Sequence, residues 1–314
     1  LGPLDRLTQD VLGCLRPGAV MVILCQVPPG FTRALGRRLA PQLEAARVSL
    51  FYQVETLVFG NAIERALHPE RYIVGCASPG NPLPPAYLEW LSAFGCPVLP
   101  IRYESAELAK IAINLFLVSS VTTTNTIADL SERIGAEWSE IAPALRLDRR
   151  IGPHAYLTPG LGLAGGNLER DLVTFRRMAD ESGSDAGVVA AWMANSTYRR
   201  DWALRCLHTE VLAREPQSKL AGWGLAYKAY THSTKNSPAL GLIEALPQLS
   251  KKAYDPQVRL SEPPTRLTQV DSALEACDGA HALAILTPWP EFKEVSLPEV
   301  RRRMLGDAVI DPYG

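Results

Sequence analysis

The sequence lacks an excess of charge of either sign and lacks a long uninterrupted apolar run. Its 314 residues include 32 Lys and Arg against 33 Asp and Glu, which leaves a formal net charge of -1. A protein that neutralises a nucleic-acid backbone needs a basic surface, so nucleic acid is not an expected partner. The most apolar run, residues 19–25, is far shorter than the roughly 20 residues that cross a bilayer. We therefore expect no membrane partner.

The sequence also lacks the signals of secretion and of metal binding. No charged region near the first residues is followed by an apolar segment and a small-residue cleavage site. The six cysteines are far apart, without a C-x-x-C pair or a histidine at metal-ligand spacing. Neither a zinc site nor a disulfide scaffold is expected. We expect buried reduced thiols, no metal, and a cytoplasmic protein.

Short apolar runs alternate with helical stretches, which predicts an α/β protein. The first set of expected strands covers residues 20–24, 48–52, 72–75 and 98–101, with a helix over 33–46. A long helix is predicted over residues 106–134, ending at Gly135, and a second helical stretch over 186–214. The remaining segments alternate again, with strands over 219–225, 253–255, 282–287 and 308–311 and helices over 238–249 and 270–276.

These elements predict two Rossmann-like parallel-sheet domains joined by a long central helix. The expected parts are residues 1–103, residues 104–214, which are mainly helical, and residues 215–314. Because the apolar positions of the long helix exceed what one face of an isolated helix would expose, we expect it to form the core of a homodimer.

One segment, Gly160 to Gly165, matches the pattern GxGxxG. It follows a segment that ends in Pro159 rather than a buried strand, and no acidic residue ends a second strand about 20 positions later. We therefore interpret it as a loop whose glycines, lacking a Cβ atom, bring backbone amides close to a ligand.

Six segments resemble, in order, the motifs of the UDP-glucose/GDP-mannose dehydrogenase family. Residues 53–75 resemble NPEFLREGxA followed by NPxRxVxG, and residues 104–117 resemble the helix EAELxKxxxNxFLA, with Asn125 at its later asparagine. Residues 150–171 resemble the loop RIGxxFLxPGxGxGGSCFPKD. The C-terminal matches are residues 224–238, 254–256 and 286–292, followed by Asp311. The resemblance implies a nucleotide-sugar dehydrogenase that uses NAD. It also implies that residues 1–103 are a dinucleotide-binding domain truncated at its N-terminus, residues 104–214 a central helical dimerisation and active-site region, and residues 215–314 a C-terminal nucleotide-sugar-binding domain.

The resemblance also implies roles for individual residues. Lys110 and Asn114 are four residues apart and share one helical face, where they would stabilise an alkoxide while the hydride leaves. Lys110 would also act as the base if burial lowers its pKa. Asp171 would orient a water molecule or the lysine, and Glu55 matches the glutamate of the hydrolysis step. Substrate-binding roles fall to Arg150, which matches an arginine that reaches a neighbouring subunit's site, and to Tyr156, Gly162, Gly165, Tyr227 and Lys228. Cofactor-binding roles fall to Gln26, Pro28 and Lys235.

Asn167 stands where the family has its catalytic cysteine. In the family that thiolate attacks the first-formed aldehyde, whereas the nitrogen lone pair of an amide is delocalised into the carbonyl and is not nucleophilic. Cys206, the nearest cysteine in sequence, lies outside the loop, so oxidation is expected to stop after two electrons. Further departures predict a pocket built for a different substrate or leave an interdomain contact open, namely Gln26 for threonine, Phe59 for glutamate, Lys235 and Asn236 for Arg-Glu, and Tyr313 and Gly314 for Arg-Asn.

Three functions stay open at this point. The first is NAD-dependent oxidation of a nucleotide-sugar hydroxyl, with a ketone as the product if the alcohol is secondary, as in a higher-carbon sugar such as a GDP-octose of an antibiotic pathway. The second is an epimerase that retains its NAD, and the third is an inactive relative that serves as a binding partner. The residues do not decide between UDP and GDP or between NAD and NADP.

The family's glycine fingerprint for NAD would precede Leu1, together with roughly 90 to 100 residues of a mononucleotide-binding half. Two explanations are open. Either these 314 residues are part of a longer protein, which we favour, or dinucleotide is not bound in the family's manner.

Overall fold

A computed structural model describes residues 2–55, 57–58 and 60–313 of the chain. It divides into two compact units, Leu1–Asn114 and Leu115–Gly314. The dividing point lies inside the long helix. The three-part division expected from the sequence stays a prediction.

The first unit is built on a four-stranded sheet with the strand order β1-β2-β3-β4. The strands are β1 (Val20–Ile23), β2 (Ser49–Gln53), β3 (Tyr72–Cys76) and β4 (Val98–Arg102). β1 and β2 are parallel, as are β3 and β4, whereas β2 and β3 are antiparallel. The α/β fold class is confirmed, with this one antiparallel pair.

An apolar cluster lies on each face of this sheet. The helices that precede or follow its strands are α1 (Gly2–Leu12), α2 (Phe31–Arg38), α3 (Ala40–Ala46), α4 (Ala62–Leu67) and α5 (Pro85–Ser92). The single helix predicted over residues 33–46 is two helices, because the chain leaves helical geometry at Leu39 and α3 begins with a proline in its first turn. Pro41 has no N–H to continue the hydrogen-bond ladder but fits the start of a new helix.

Helix α6 (Tyr103–Ile134) has 32 residues and confirms the long helix. It ends before Gly135, which has a φ of +74°. Among the described residues, α6 is one helix long and apolar enough to cross a membrane, although a third of its most apolar window is buried. The sequence of α6 contains no long uninterrupted apolar run, because Ser, Thr and Asn residues interrupt the apolar residues without adding charge. It was therefore not predicted as a possible membrane span. A single such helix is weak evidence, since central helices of globular proteins have the same length and composition.

The second unit contains a five-stranded parallel sheet with the order β7-β6-β5-β8-β9. Its strands are β5 (Leu220–Trp223), β6 (Lys251–Tyr254), β7 (Leu267–Gln269), β8 (Ala282–Ile285) and β9 (Ala308–Ile310). β7 was not predicted from the sequence, since it has three residues, of which two are polar. Apolar clusters cover both faces of the sheet.

The helices of the second unit differ most from expectation. The stretch predicted over residues 186–214 is α9 (Gly187–Arg200), α10 (Trp202–Leu207) and a π-helical turn (His208–Leu212), with an interruption at Asp201. The others are α7 (Trp138–Leu147), α8 (Asn167–Ser182), α11 (Pro238–Ala245), α12 (Ala273–Ala276) and α13 (Leu297–Arg303). The first residue of α8 is Asn167, one of the predicted catalytic residues.

Candidate active site

Lys110 and Asn114 lie one turn apart on α6, and both are half-buried. The Nζ atom of Lys110 donates a hydrogen bond to the backbone carbonyl of Glu55 at 2.6 Å. Glu55 follows the end of β2, so Lys110 is held at the carboxyl end of this strand. Ligands of open α/β sheets bind at that edge. The first unit therefore brings Lys110 and Glu55 together where a ligand is expected.

The side chain of Glu55 has a local partner. Its carboxylate accepts a hydrogen bond from the backbone N–H of Leu57 at 2.8 Å, which closes a short turn. Glu55 is only half-buried. Phe59, the other departure in this motif, lies outside the described residues.

Glu107, which sequence reasoning left without a role, holds the turn between β1 and α2. It is fully buried, and its carboxylate accepts hydrogen bonds from the backbone N–H groups of Gly30 at 2.5 Å and Thr32 at 2.8 Å. Burial raises the pKa of Glu107, although these hydrogen bonds act in the opposite direction. The turn also contains Gln26 and Pro28, so α6 orders the segment that was predicted to bind the cofactor. The sequence signal for this role was the carboxylate of Glu107 inside the motif of a long apolar helix.

The start of α8 carries two of the predicted catalytic residues of the second unit. Asn167 is the first residue of the helix and is exposed, and Asp171 follows one turn later with 1% of its surface exposed. Nε of Arg170 lies 3.6 Å from Oδ1 of Asp171. Four residues apart on a helix, Asn167 and Asp171 share a face.

The glycine loop, residues 160–166, leads directly into Asn167, and its last two glycines make room for protein side chains. A Cβ atom on Gly165, whose φ is +81°, would lie 2.9 Å from the ring of Tyr227. A Cβ atom on Gly166 would lie 2.7 Å from Cε of Lys235 and 2.8 Å from its Nζ. The second unit thus brings Tyr227 and Lys235, two predicted binding residues, against the loop that precedes Asn167.

The carboxylate of Glu169, in the first turn of α8, links the start of this helix to the segment that contains Lys235. Glu169 accepts a hydrogen bond from Nη2 of Arg200 at 2.6 Å and one from Nδ2 of Asn236 at 2.5 Å. Asn236 neighbours Lys235, and it replaces a glutamate of the family motif that would have repelled Glu169. The departure at residue 236 is therefore matched by a contact inside the site.

The loop that follows β5, residues 224–228, is fixed by buried Asp255. Oδ2 of Asp255 accepts hydrogen bonds from the N–H groups of Leu225 at 2.7 Å and Ala226 at 2.9 Å. Its other oxygen accepts from the N–H groups of residues 257 and 258, both at 2.8 Å. The role of Asp255, which lies in the matched segment 254–256, was not predicted from the sequence. Only the fold places residues 225 and 226 next to it.

Two hydroxyl groups complete this arrangement. Ser237 Oγ donates to the carbonyl of Leu225, and Thr287 Oγ1 donates to the carbonyl of Ala226, both at 2.7 Å. Gly224 has a φ of +94°, and a Cβ there would lie 2.4 Å from Cβ of Thr287. The backbone of the loop 224–228 is therefore held by contacts within the protein and needs no ligand to fix it.

Lys228 and Tyr227 stand at the end of this loop, beyond the carboxyl end of β5. Nζ of Lys228 lies 5.8 Å from the centre of the Tyr227 ring. Burial lowers the pKa of Lys228 and raises that of Tyr227. An ammonium group beside an aromatic ring suits a ligand with an anionic part and a planar part.

Arg150 and Tyr156, also predicted to bind substrate, lie between α7 and the glycine loop. The side chain of Arg150 is 88% exposed and pairs with Asp148, with 2.6 Å between Nη2 and Oδ2. The Tyr156 ring is half exposed, and the Tyr156 carbonyl accepts a hydrogen bond from Thr124 Oγ1 at 3.0 Å.

Cys14 and Cys25 are exposed, contrary to the expectation of buried thiols. Cys206 and Cys277 are unsuited to replace the missing cysteine. Burial raises the pKa of Cys206, the cysteine nearest to the loop in sequence, and raises that of Cys277 to about 11. A raised pKa lowers the fraction of reactive thiolate near neutral pH. Among the described residues, no group of three or more His, Cys, Asp or Glu side chains is arranged to hold a metal ion.

Comparison with solved structures supports the fold. The structure of UDP-D-ManNAc dehydrogenase from Pyrococcus horikoshii superposes with a TM-score of 0.81 and 24% identity, over 99% of this chain and 72% of that one. A UDP-glucose dehydrogenase from Pyrobaculum islandicum gives a TM-score of 0.81 and 24% identity, over 94% of this chain and 67% of that one. At these identities the likeness shows the fold alone.

Sequence relatives and family models identify the family. UDP-glucose 6-dehydrogenase TuaD of Bacillus subtilis is 33% identical over 82% of this chain and 56% of its own length. UDP-glucose 6-dehydrogenase of Pseudomonas aeruginosa is 28% identical over 95% of this chain and 69% of its own length. The chain thus spans only part of the length of these two relatives, 56% of the first and 69% of the second.

Two family models match in separate regions. The central domain of the UDP-glucose/GDP-mannose dehydrogenase family matches residues 104–197, and the UDP binding domain of that family matches residues 221–314. Together they cover more than half of the sequence. The chain belongs to the UDP-glucose/GDP-mannose dehydrogenase family.

Proposed function

We propose that this protein oxidises one hydroxyl group of a nucleotide sugar with NAD and stops after two electrons. The observation that carries the proposal is Asn167 at the first position of α8, where the family has a cysteine. The C–H hydrogen leaves as hydride to NAD and the hydroxyl proton leaves to solvent, so that one alcohol and one NAD⁺ give one carbonyl group, one NADH and one proton.

Lys110 and Asn114 stabilise the negative charge that develops on the substrate oxygen as the hydride leaves. The hydrogen bond from Lys110 to the carbonyl of Glu55 supports this role, because it fixes the ammonium group before the reaction. Asp171 orients the water that removes the proton. Since no thioester forms at Asn167, the hydrolysis that the family's glutamate serves has no counterpart, and Glu55 positions Lys110 instead.

The first unit offers a fitting edge for the dinucleotide. β1 and β2 are parallel, and their carboxyl ends lead into the turn with Gln26 and Pro28 and into Glu55. A Cβ atom on Gly30 would meet nothing within 4 Å, so no atom of the described residues covers the turn at this residue. NAD would supply the hydride acceptor, and Gln26 and Pro28 are the residues of this unit that would hold it. Lys235, the third residue predicted to bind the cofactor, belongs to the second unit.

The nucleotide-sugar specificity follows from the loop 224–228 and from the relatives. Lys228 and Tyr227 bind the diphosphate and a ring, with Arg150, Tyr156 and the glycine loop as further contacts. A match to a UDP binding domain and relatives named UDP-glucose 6-dehydrogenase support UDP as the nucleotide. A secondary alcohol, oxidised to a ketone, is the reacting group that needs no cysteine. A GDP-octose is the second candidate substrate. We further propose that the protein acts in the cytoplasm as a homodimer.

The ratio of NADH formed to sugar consumed tests this proposal. A panel of UDP- and GDP-sugars is incubated with NAD, NADH is followed by absorbance, and the product is identified by mass spectrometry. We expect one NADH per sugar, a carbonyl product and a reaction that runs readily backward, because no thioester hydrolysis makes it irreversible. Two NADH per sugar with a carboxylate product would refute the proposal, and sugar conversion without net NADH would indicate an epimerase.

Asn167→Cys is the matched variant for this experiment. Thiol alkylation should leave the natural protein active, because its own cysteines have no role in the reaction. It should inhibit the variant, whose new thiol stands at the reacting position. Inhibition of the natural protein to the same degree would assign one of its own thiols to the site.

A further inference from the structure

We propose that Asn125, Ser196 and Arg199 are positioning residues that clamp the glycine loop and thereby fix the start of α8. We call these three residues the loop clamp. They lie outside the set of residues to which a role in binding or chemistry is assigned above. The kinetic part of the inference rests on the proposed function, whereas the structural part does not.

Gly160, the first residue of the loop, is held from two sides. Its N–H donates a hydrogen bond to Oδ1 of Asn125 at 2.8 Å, and its carbonyl accepts one from Nε of Arg199 at 2.8 Å. Asn125 belongs to α6 and Arg199 to α9, and each is 1% exposed. Two helices therefore fix one residue of the loop through buried side chains. Hydrogen bonds of this kind are directional, so they set the orientation of the backbone as well as its place.

Leu163 is held next, by the same face of α9. Its N–H donates to Oγ of Ser196 at 2.8 Å, and its carbonyl accepts from Nη2 of Arg200 at 3.2 Å. Residues 196, 199 and 200 are spaced by three and four, which places them on one side of a helix. One helical face thus contacts the loop at two points, Gly160 and Leu163.

The loop lies so close to α9 that residue 162 has no room for a side chain. A Cβ atom on Gly162 would lie 2.6 Å from the carbonyl oxygen of Ser196 and 3.0 Å from its Oγ. The φ of Gly162 is +78°, a conformation that glycine adopts without strain. The glycine predicted to bind substrate therefore has a second reason to be glycine, which is its contact with the clamp.

Arg199 is an expensive residue to bury, and its surroundings compensate only in part. Its guanidinium lies 4.6 Å from the centre of the Trp202 ring, and Nη1 is 3.8 Å from carboxylate oxygens of both Asp129 and Glu132. Burial lowers the pKa of Arg199. An apolar side chain would cost less to bury, but it could not donate to the carbonyl of Gly160. That donation is the role we assign to the arginine.

The clamp acts on the site through chain connection. It holds residues 160 and 163, Tyr227 and Lys235 contact residues 165 and 166, and the next residue is Asn167. Without the loop clamp, the first half of the glycine loop would lose its hydrogen bonds. The positions of Asn167 and Asp171 would then no longer be fixed. Small displacements of reacting groups cost up to about 100-fold in rate.

Amide hydrogen exchange measured by mass spectrometry tests the clamp independently of activity. In Arg199→Met and in Ser196→Ala we expect the peptide that covers residues 160–166 to exchange about tenfold faster, since each variant removes one hydrogen bond from the loop. Peptides covering residues 224–228 should be unchanged. Arg177→Met, which removes an arginine exposed on α8, is the control and should change neither. Ser196→Ala keeps the test valid should Arg199→Met fail to fold.

Arg199→Lys separates hydrogen bonding from charge. Lysine keeps the positive charge beside Trp202, Asp129 and Glu132 but has no Nε–H in the plane of a guanidinium. We therefore expect the loop amides to exchange as fast in Arg199→Lys as in Arg199→Met. If the loop amides of Arg199→Lys exchange at the rate of the natural protein, the charge of Arg199 is sufficient and its directional hydrogen bond is not required. If those of Arg199→Met do so, the loop clamp itself is overturned.

Steady-state kinetics test the positioning role. We expect Arg199→Met to lower kcat about 10- to 100-fold and to raise KM for the nucleotide sugar by a smaller factor, since residues 224–228, the main proposed contacts, are held by other groups. A role in stability alone would lower the melting temperature and the active fraction without changing kcat per active site, and that result would overturn the positioning role. Faster loop exchange in a protein that oxidises no nucleotide sugar would leave the clamp standing and refute the proposed function.

Discussion

At the scale of single residues, Lys110 should have the largest effect on turnover. Charge on the substrate oxygen develops only toward the transition state, so removing one stabilising donor costs about 3 kcal/mol in kcat and little in binding. We expect Lys110→Ala to lower kcat at least about 100-fold with a nearly unchanged KM. Lys293→Ala, which removes an exposed surface lysine, is the control. Weakened binding with unchanged kcat would instead assign Lys110 to substrate positioning.

Lys228 predicts how nucleotide binding depends on pH. Burial lowers its pKa, so the ammonium group loses its proton at a lower pH than an ordinary lysine with a pKa of 10.5. UDP affinity measured by calorimetry from about pH 7 to about pH 10 should therefore fall as the pH rises toward that lowered value. Lys228→Arg should bind UDP equally well across this range, because a guanidinium stays charged.

The loss of UDP affinity at high pH should not be a loss of structure. A lysine whose folded pKa is depressed binds fewer protons in the folded than in the unfolded state, so its contribution favours folding as the pH rises between the two pKa values. Thermal melts at the same pH values check this. The same pH dependence in the natural protein and in Lys228→Arg would show that another group titrates.

At the scale of structural elements, two adjacent glycines of the loop should respond differently to a methyl group. Gly165 has a φ of +81° and faces the rigid ring of Tyr227, whereas Gly166 faces the flexible end of Lys235. Gly165→Ala should lower the free energy of unfolding by at least about 1–2 kcal/mol. Gly166→Ala should cost little stability but should displace the ammonium group of Lys235.

Kinetics with NAD distinguish the two substitutions. Gly166→Ala should raise KM for NAD as much as Lys235→Ala does, and the double variant should be no worse than either single variant, because both act through the same side chain. Additive effects would show that Gly166 and Lys235 act independently. Equal losses of stability in the two glycine variants would contradict the contrast.

Elements were predictable where a local pattern decides them. Helix α6 has no Pro or Gly to end it before Gly135, and the first strands are short β-prone runs. Helix α7 was missed because Pro143 lies inside it. Residues that act through long-range contacts were missed for a different reason: Asp255 has its role only after folding brings the loop 224–228 to it, and Arg199 only after α9 meets Gly160.

At the scale of the whole molecule, the exposed apolar side chains of α6 favour self-association. Phe116 is 78% exposed, Leu130 52% and Ile134 67%. Exposed apolar patches of this kind mark interfaces. We expect a homodimer in sedimentation velocity at micromolar concentration, and Phe116→Glu should shift it toward monomer without a change in circular dichroism. Lys293→Glu, which changes an exposed residue outside α6, is the control. A monomeric natural protein would contradict the expectation.

The hydrogen bonds that Asp255 collects have a thermodynamic consequence for ligand recognition. A loop whose N–H groups are already satisfied gives up little conformational freedom when it binds, so nearly all the favourable contact energy of the nucleotide remains available as affinity. UDP binding should then have a small ordering entropy and fast association. If Tyr227 and Lys228 bind the nucleotide as proposed, exchanging either should alter which nucleotide is preferred without rebuilding the loop that presents them, so that specificity would change one side chain at a time.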